Sequence, residues 1–240
     1  MGDDAKSRVS LSSNAVGADV RRAAARRPDA AADVLRSFAD DRDRQVRENL
    51  AANPACPQDV LLALLDDAHW RVRWEAAQNV SAGRALHLAA LSAADGQLVW
   101  AVGQLGDRLD REVVDELLRH PLRHGREQLA LTSTSADILW ALAEDTDHRV
   151  RLHVAMSDAC PVDLLRVLAR DRRKEVRQVV AASSRLPRDV VDELLHDRSA
   201  DVRWNVVCHR SADGDICRAL VDDPDDTVRG HARVALGLPV

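Results

Sequence analysis

Aromatic residues are almost missing from these 240 residues: there is one Phe, no Tyr and five Trp. Lysine is scarce too. Lys6 and Lys174 are the only two, so nearly all positive charge is arginine. The four cysteines, Cys56, Cys160, Cys208 and Cys217, form no C-x-x-C. That argues against a zinc knuckle and fits small buried residues in a reducing compartment. No apolar run reaches the length of a membrane span, and the N-terminus has no signal-peptide core. Lys6 stands where an N-myristoylation signal takes Ser or Thr. The expected location is cytoplasmic, with no membrane partner. A formal net charge of −5 lacks the basic field of a general polyanion binder. Gly and Pro are few, at 10 and 8, so long structureless stretches are not expected.

What the chain does have is a period. Val-Arg recurs at Val20-Arg21, Val46-Arg47, Val72-Arg73, Val150-Arg151, Val176-Arg177, Val202-Arg203 and Val228-Arg229, always 26 residues or a multiple of 26 apart. With Val as position 0, position +4 is Ala24, Leu50, Ala76, Val102, Val154, Val180, Val206 and Ala232, so 0 and +4 share one helical face. Position +5 is small in most units (Ala25, Ala51, Ala77, Gly103, Ala155, Ala181), which lets neighbouring helices come close. Pro57, Pro161 and Pro187 at +11 open a second helix as its first residue. Asp33, Asp59, Asp137, Asp163, Asp189 and Asp215, two residues later, face its positive end. That helix buries +14, +15, +18 and +19, as in Val60, Leu61, Leu64 and Leu65.

Two short helices in 26 residues cannot bury their own apolar face, so stacking must do it. The fold expected is all-α, a curved solenoid (superhelix) of about eight 26-residue two-helix repeats. Residues 1–19 form an N-terminal tail and cap, and residues 20–240 the helical repeat solenoid. Asp41, Asp67, Asp145, Asp171, Asp197 and Asp223 stand six residues before Arg47, Arg73, Arg151, Arg177, Arg203 and Arg229. Each such pair is expected to link a turn to the helix after it, and the stack to align them into an Asp–Arg ladder. The ladder is expected to fail once, where Ala93 replaces the Asp and Val99 the Arg. In the next unit, His120-Pro121 marks a slipped register, with Pro121 and Gly125 interrupting helices.

The D-x5-R pattern, with Val before the Arg and a small residue four or five positions after it, resembles HEAT-like helical repeats. The short period and the second helix in "NPACPQDVLLALLDD" are more similar to the leucine-rich repeat variant. The resemblance covers about residues 20–236 and implies a solenoid of paired helices used as a binding scaffold. Some leucine-rich-variant proteins carry an iron–sulfur domain with clustered cysteines. This chain has no such cluster, and no cofactor is expected.

The nine histidines are scattered, and His120 and His124 lack a third ligand. No nucleophile–base constellation shows in local spacing. No catalytic and no metal residues are therefore assigned, and the protein is not expected to be an enzyme. The tryptophans carry more. Trp74, Trp100 and Trp204 all occupy +2, about 200° around the helix from position 0. By the HEAT-like resemblance they project into a concave groove. Trp70, in the turn, and Trp140, on the second helix, are separate cases. The partner-binding residues expected are Arg71, Trp74, Glu75, Gln78, Trp100, Gln104, His153, Met156, Trp204 and Asn205. The function expected is a non-catalytic scaffold binding a protein or peptide along its concave face. The alternative is a nucleic-acid-associated HEAT-like protein, such as a base-excision DNA glycosylase, which Arg71, Arg73, Trp74 and Trp100 would serve by stacking on bases. The acidic balance and the short, regular repeat make nucleic acid the less favoured partner. The oligomeric state is not readable from the sequence.

Overall fold

The computed structural model describes residues 17–93, 95–210 and 213–239. Of the expected N-terminal tail and cap, residues 1–16 lie outside the described residues. Among the described residues the protein is all-helical. The helices at the Val-Arg station of each repeat are the odd-numbered ones, with the dipeptide itself absent from α7 and α9: α1 (Ala18–Arg26), α3 (Arg44–Ala51), α5 (Trp70–Gln78), α7 (Gly96–Gly103), α9 (Arg123–Thr132), α11 (His148–Met156), α13 (Lys174–Ala182), α15 (Ala200–His209) and α17 (Asp226–Ala235). The even-numbered ones are α2 (Ala32–Arg36), α4 (Gln58–Leu64), α6 (Arg84–Ser92), α8 (Arg111–Arg119), α10 (Ala136–Ala143), α12 (Val162–Leu168), α14 (Arg188–Leu194) and α16 (Gly214–Ala219). The described chain falls into two compact units, one through Arg126 and one from Glu127. The boundary lies inside α9, in the repeat whose register slips.

In each unit an odd helix packs on the next odd helix and on its even neighbours. In the first unit this is the run α1, α3, α5, α7, and in the second the run α11, α13, α15, α17. Helices this short are marginal alone, so their stability comes from these faces. Position 0 supplies the core: Val46, Val72, Val150, Val176, Val202 and Val228 have no exposed surface. Val20 is the exception at 55% exposed. The even helices bury the expected quartets, Val60, Leu61, Leu64 and Leu65 in α4 and Val190, Val191, Leu194 and Leu195 in α14. Pro57, Pro161 and Pro187 sit one position earlier than expected, as the N-cap residue and not the first helical residue. Their ψ near 150° is that of the extended residue that turns the chain into the helix.

The Asp–Arg ladder exists, with a different connection from the one expected. Arg47 donates to the carboxylate of Asp67, twenty residues ahead (Nε–Oδ2 2.6 Å, Nη2–Oδ1 3.2 Å). From Asp41, six residues behind, it takes only the main-chain carbonyl. Arg151 joins Asp171, Arg177 joins Asp197 and Arg203 joins Asp223 in the same way. Each arginine therefore ties its own turn's carbonyl to the next repeat's carboxylate. The Asp also accepts an N–H from two residues on, as from His69 to Asp67 and Ser199 to Asp197. Burial alone would raise these carboxyls. Hydrogen bonds from arginine and main chain, with the arginine charge, outweigh it and hold Asp67, Asp171, Asp197 and Asp223 below the usual range.

The expected failure at Ala93 is repaired. Arg73 pairs instead with Asp95 (Nε–Oδ2 3.0 Å, Nη2–Oδ2 2.9 Å), the N-cap of α7 two residues later. One residue beyond the regular register, Arg126 donates to the His120 carbonyl six residues behind, as a ladder arginine does. Gly125 does not interrupt a helix; it lies within α9. There it meets Gly103 of α7. A Cβ at Gly103 would overlap the Gly125 carbonyl, and a Cβ at Gly125 would stand 2.7 Å from the Val99 carbonyl oxygen. The glycines are there because two backbones touch.

A second ladder went unread in the sequence. Asn79 Nδ2 donates to the carbonyls of Ala51 (2.6 Å) and Asn53 (2.9 Å) in the preceding repeat, and Asn53 does the same to Ala25 and Arg27. These are carbonyls that a helix C-terminus leaves free. In the second unit arginine does this work: Arg185 donates to the carbonyls of Ser157, Asp158 and Cys160, and Arg210 to those of Ala181 and Ser183.

Candidate functional site

The first unit holds a pocket of about 460 Å³ lined by Trp70, Trp74, Asp95, Gly96, Gln97, Trp100 and His124. Its walls follow from helical spacing. Trp70 and Trp74 are four apart on α5, so they stand on one face. Trp100 occupies the same repeat position as Trp74, one unit on. Gly96 and Gln97 precede Trp100 by one turn at the start of α7. The N-terminus of α7 is fixed because Asp95 accepts the Gln97 N–H (2.8 Å) while holding Arg73.

The indoles do not fill this space by stacking on one another. The ring contact made by Trp70 is with His69, centroids 6.1 Å apart. Trp70 is 46% and Trp100 36% exposed, and Trp74 is half-buried. The Trp74 Nε1–H is enclosed and has no hydrogen-bond partner in the structure, a donor left without its usual acceptor. The wall is otherwise electrically quiet, since the one lining carboxylate, Asp95, is neutralised by Arg73.

Not every residue expected at the site is free to bind. Gln78 donates to the Ala101 carbonyl (2.5 Å) and ties α5 to α7. Glu75 is half-buried 3.9 Å from the exposed Arg71. Burial, with the nearby Glu48 charge, raises its carboxyl against the pull of Arg71. Gln104 follows the C-terminus of α7 and is half-buried. The +2 column is not uniformly exposed, because Glu48 at the same position is buried.

His153, Met156, Trp204 and Asn205 lie in the second unit. Met156 is exposed, and Trp204 is 37% exposed with its ring edge-on to His231 at 6.4 Å. His153 Nδ1 meets the Arg149 carbonyl and Asn205 donates to the Asp201 carbonyl, so both polar groups are engaged within their own helices. The expected list thus divides between the units. Trp70, Asp95, Gly96, Gln97 and His124 were missed as site residues; the i, i+4 spacing of Trp70 and Trp74 was the available signal for the first.

Among the described residues no group of three His, Cys, Asp or Glu could hold a metal ion, and no helix is long and apolar enough to cross a membrane. None of the four cysteines forms a disulfide among the described residues. Burial, with the Asp59 charge, pushes the Cys56 thiol up to about 12, and burial, against the pull of Arg185, pushes Cys160 up to about 11.

The sequence profile described as "Leucine rich repeat variant" matches residues 44–69, one full period holding Arg47, Asp67 and the Pro57 N-cap. A solved structure described as a leucine-rich repeat variant with a novel repetitive protein structural motif is similar over 84% of this chain and 79% of its own, at 27% identity and a TM-score of 0.61. The chain is built of helical repeats and is similar to the leucine-rich repeat variant. A computationally designed armadillo repeat protein for modular peptide recognition also aligns, over 85% of this chain and 91% of its own, at 16% identity and a TM-score of 0.22. No curated protein sequence matches the chain. In the repeats of this chain the ladder arginines and asparagines are spent on structure. Trp70, Trp100 and Trp204 each keep more than a third of their surface exposed.

Proposed function

We propose that this leucine-rich-variant repeat chain is a non-catalytic scaffold that binds a protein or peptide on the surface of its odd-numbered helices. The observation that carries this is the pocket itself: three indoles held around open space. Large aromatics left uncovered concentrate binding energy when a partner covers them. The ladder arginines, which could have read phosphates, are occupied by carboxylates and carbonyls. That weakens the nucleic-acid alternative. Peptide display against the protein, with counter-selection on a Trp74→Ala/Trp100→Ala variant of checked thermal midpoint, tests the proposal. Selected peptides should lose most of their affinity for the variant. Retained affinity, or salt-steep capture of oligonucleotides in place of peptides, would remove this reading.

A further inference from the structure

A second site, independent of the tryptophans, lies among the turns of the second unit. In most repeats the turn before the odd helix carries acid: the residue six before the Val is Asp40, Asp66, Glu144 and Asp222. In two consecutive repeats it is Arg170 and His196 instead. Two residues on, where other repeats have Arg42, Ala68, Thr146 or Pro224, these two have Arg172 and Arg198. In no other Val-Arg repeat is acid missing from the first column while arginine stands in the second. The structure brings the two turns together around one groove of about 450 Å³, lined by Arg170, Arg172, His196 and Arg198. All four are exposed, so a ligand can reach them. The carboxylates of the wall are already committed. Asp171 is held by Arg151, Asp197 by Arg177 and Glu193 by Arg170, each through two hydrogen bonds. Arg172 and Arg198 are not. Each spends one N–H on a main-chain carbonyl, that of Thr146 (3.1 Å) and that of Arg172 (3.4 Å). Neither enters an ion pair among the described residues, which leaves most of each guanidinium's donors available.

The first unit supplies the comparison. It holds the same groove five periods earlier, at about 400 Å³. Its ladder carboxylates are paired likewise, Asp41 with Arg21 and Asp67 with Arg47. Once the pairs cancel, Asp40, Asp66 and Arg42 remain in that lining, a net charge of −1. In the second unit Arg172 and Arg198 remain, a net charge of +2. One backbone arrangement thus occurs twice with opposite sign. A phosphomonoester carries about −1.5 to −2 at neutral pH and three strong acceptor oxygens, which matches two uncompensated guanidiniums. The planar arginine fork suits phosphate oxygens taken two at a time. A carboxylate or a phosphodiester carries a single charge and would leave one arginine uncompensated. We propose that this groove binds a phosphomonoester dianion, borne by a phosphorylated side chain or by a free phosphate. Arg172 and Arg198 hold it, and the exposed His196 beside them offers a further ring nitrogen.

The experiment is fluorescence anisotropy on the full chain with a labelled glycine–serine peptide carrying one phosphoserine, at fixed ionic strength. Its unphosphorylated twin, inorganic phosphate as competitor and a short oligothymidylate run beside it. The phosphoserine peptide should bind about tenfold or more tighter than its twin, and inorganic phosphate should displace it. Arg172→Gln/Arg198→Gln keeps an amide at each position, sits on exposed side chains and should retain the thermal midpoint. It should cut affinity for the phosphoserine peptide by about tenfold or more. Arg42→Gln in the first-unit groove should change nothing. Trp74→Ala/Trp100→Ala should change nothing either, so this site stands or falls apart from the tryptophan pocket. Asp40→Arg/Asp66→His/Ala68→Arg gives the first-unit groove the second's lining, and should restore binding to the Arg172→Gln/Arg198→Gln chain. Tighter binding of the phosphoserine peptide than of inorganic phosphate supports a phosphorylated protein as the source, and equal affinity a free phosphate. Equal binding of the two peptides, an equal loss from Arg42→Gln, no loss from Arg172→Gln/Arg198→Gln, or binding of oligothymidylate alone overturns the inference.

Discussion

Arg177→Ala removes one rung of the Asp–Arg ladder in the second unit. Arg177 holds Asp197 with two bonds, at 2.6 and 2.9 Å, and the Asp171 carbonyl with a third at 2.8 Å. The two side chains are 6% and 8% exposed, so solvent screening is slight. After truncation Asp197 keeps one donor, the Ser199 N–H at 2.8 Å, and the Asp171 carbonyl loses its guanidinium. Taking one partner from a buried charge pair costs about 3–5 kcal/mol, and a charged hydrogen bond is worth about 1.5–3 kcal/mol. The rung sits in a turn that can relax toward water, which puts the expected loss at about 2–4 kcal/mol. Arg71→Ala is the control: that side chain is mostly exposed and 3.9 Å from Glu75, so the change should stay within about 0.5 kcal/mol.

The assay is denaturant unfolding of both variants, repeated from pH 7 to pH 3. In the native protein the Asp197 carboxyl is held below its usual value. Its contribution is therefore full above about pH 4, the unfolded-state value, and is lost as pH falls through the lower folded-state value. Without Arg177, burial dominates and the carboxyl moves up. The orphaned charge is then relieved by protonation, so the penalty of the variant should shrink as pH approaches 4 and below. A penalty no larger than that of Arg71→Ala would show that the ladder carries no weight. A large penalty that stays constant to pH 3 would show that Asp197 is not the group left uncompensated.

Gly125→Ala would drive its new Cβ into the Val99 carbonyl and Leu117 Cδ1, at 2.7 and 2.5 Å, and should lower stability by about 1–3 kcal/mol; Gly96→Ala, with open space around it, should be neutral or mildly stabilising by the same denaturant assay. His87 on α6 is buried with neither ring nitrogen hydrogen-bonded. Burial holds its pKa below the usual 6.5, with the Arg108 charge adding to that and the Ala77 carbonyl and Asp110 opposing it. It is thus neutral in the fold, and the stability this contributes is full above about pH 6.5 and declines as pH falls toward the lower folded-state value. His87→Leu should flatten the midpoint–pH profile below pH 6.5, and an unchanged slope would count against the assignment. Cys208 is the one half-exposed thiol of the four, so a thiol reagent should consume it first, while Cys56, Cys160 and Cys217 wait for unfolding; simultaneous reaction of all four would contradict their burial.

The helical repeat could be read because it writes itself into the sequence many times. Val at position 0 is the same physical demand at every repeat, and the phase survives single exceptions such as Leu98. The ladder's columns were equally visible, yet its connection was not. Spacing within a repeat cannot show which of two aspartates, six behind or twenty ahead, lies closer once repeats stack. The Asn53 and Asn79 rungs were hidden for a related reason: their acceptors are main-chain carbonyls, which every residue has. Spacing alone puts Trp70 in the turn, apart from the +2 column. The helix starts at Trp70 itself, after a His69 N-cap whose ring accepts the Arg71 N–H. That shift of one residue moves it onto the face of Trp74.

The pocket arises from what one repeat position omits. Arg44, Trp70 and Gly96 are equivalent, each the first helical residue of α3, α5 and α7. Arg44 reaches forward to the next helix's N-cap, where its Nη1 meets His69 Nε2 at 3.0 Å. A long side chain at this position therefore normally lies over the start of the following helix. Trp70 occupies it in α5, and the equivalent residue of α7 is Gly96, around which a Cβ would meet nothing within 4 Å. The ladder's local rearrangement keeps that N-terminus open: Arg73 is satisfied by the N-cap Asp95, so no longer side chain is needed there. A tryptophan and a glycine at this repeat position, beside two further tryptophans in step with the repeat, line one open space. In this account binding capacity comes from a departure from the period, which is why Gly96, the smallest residue in the lining, is the sharpest place to test it.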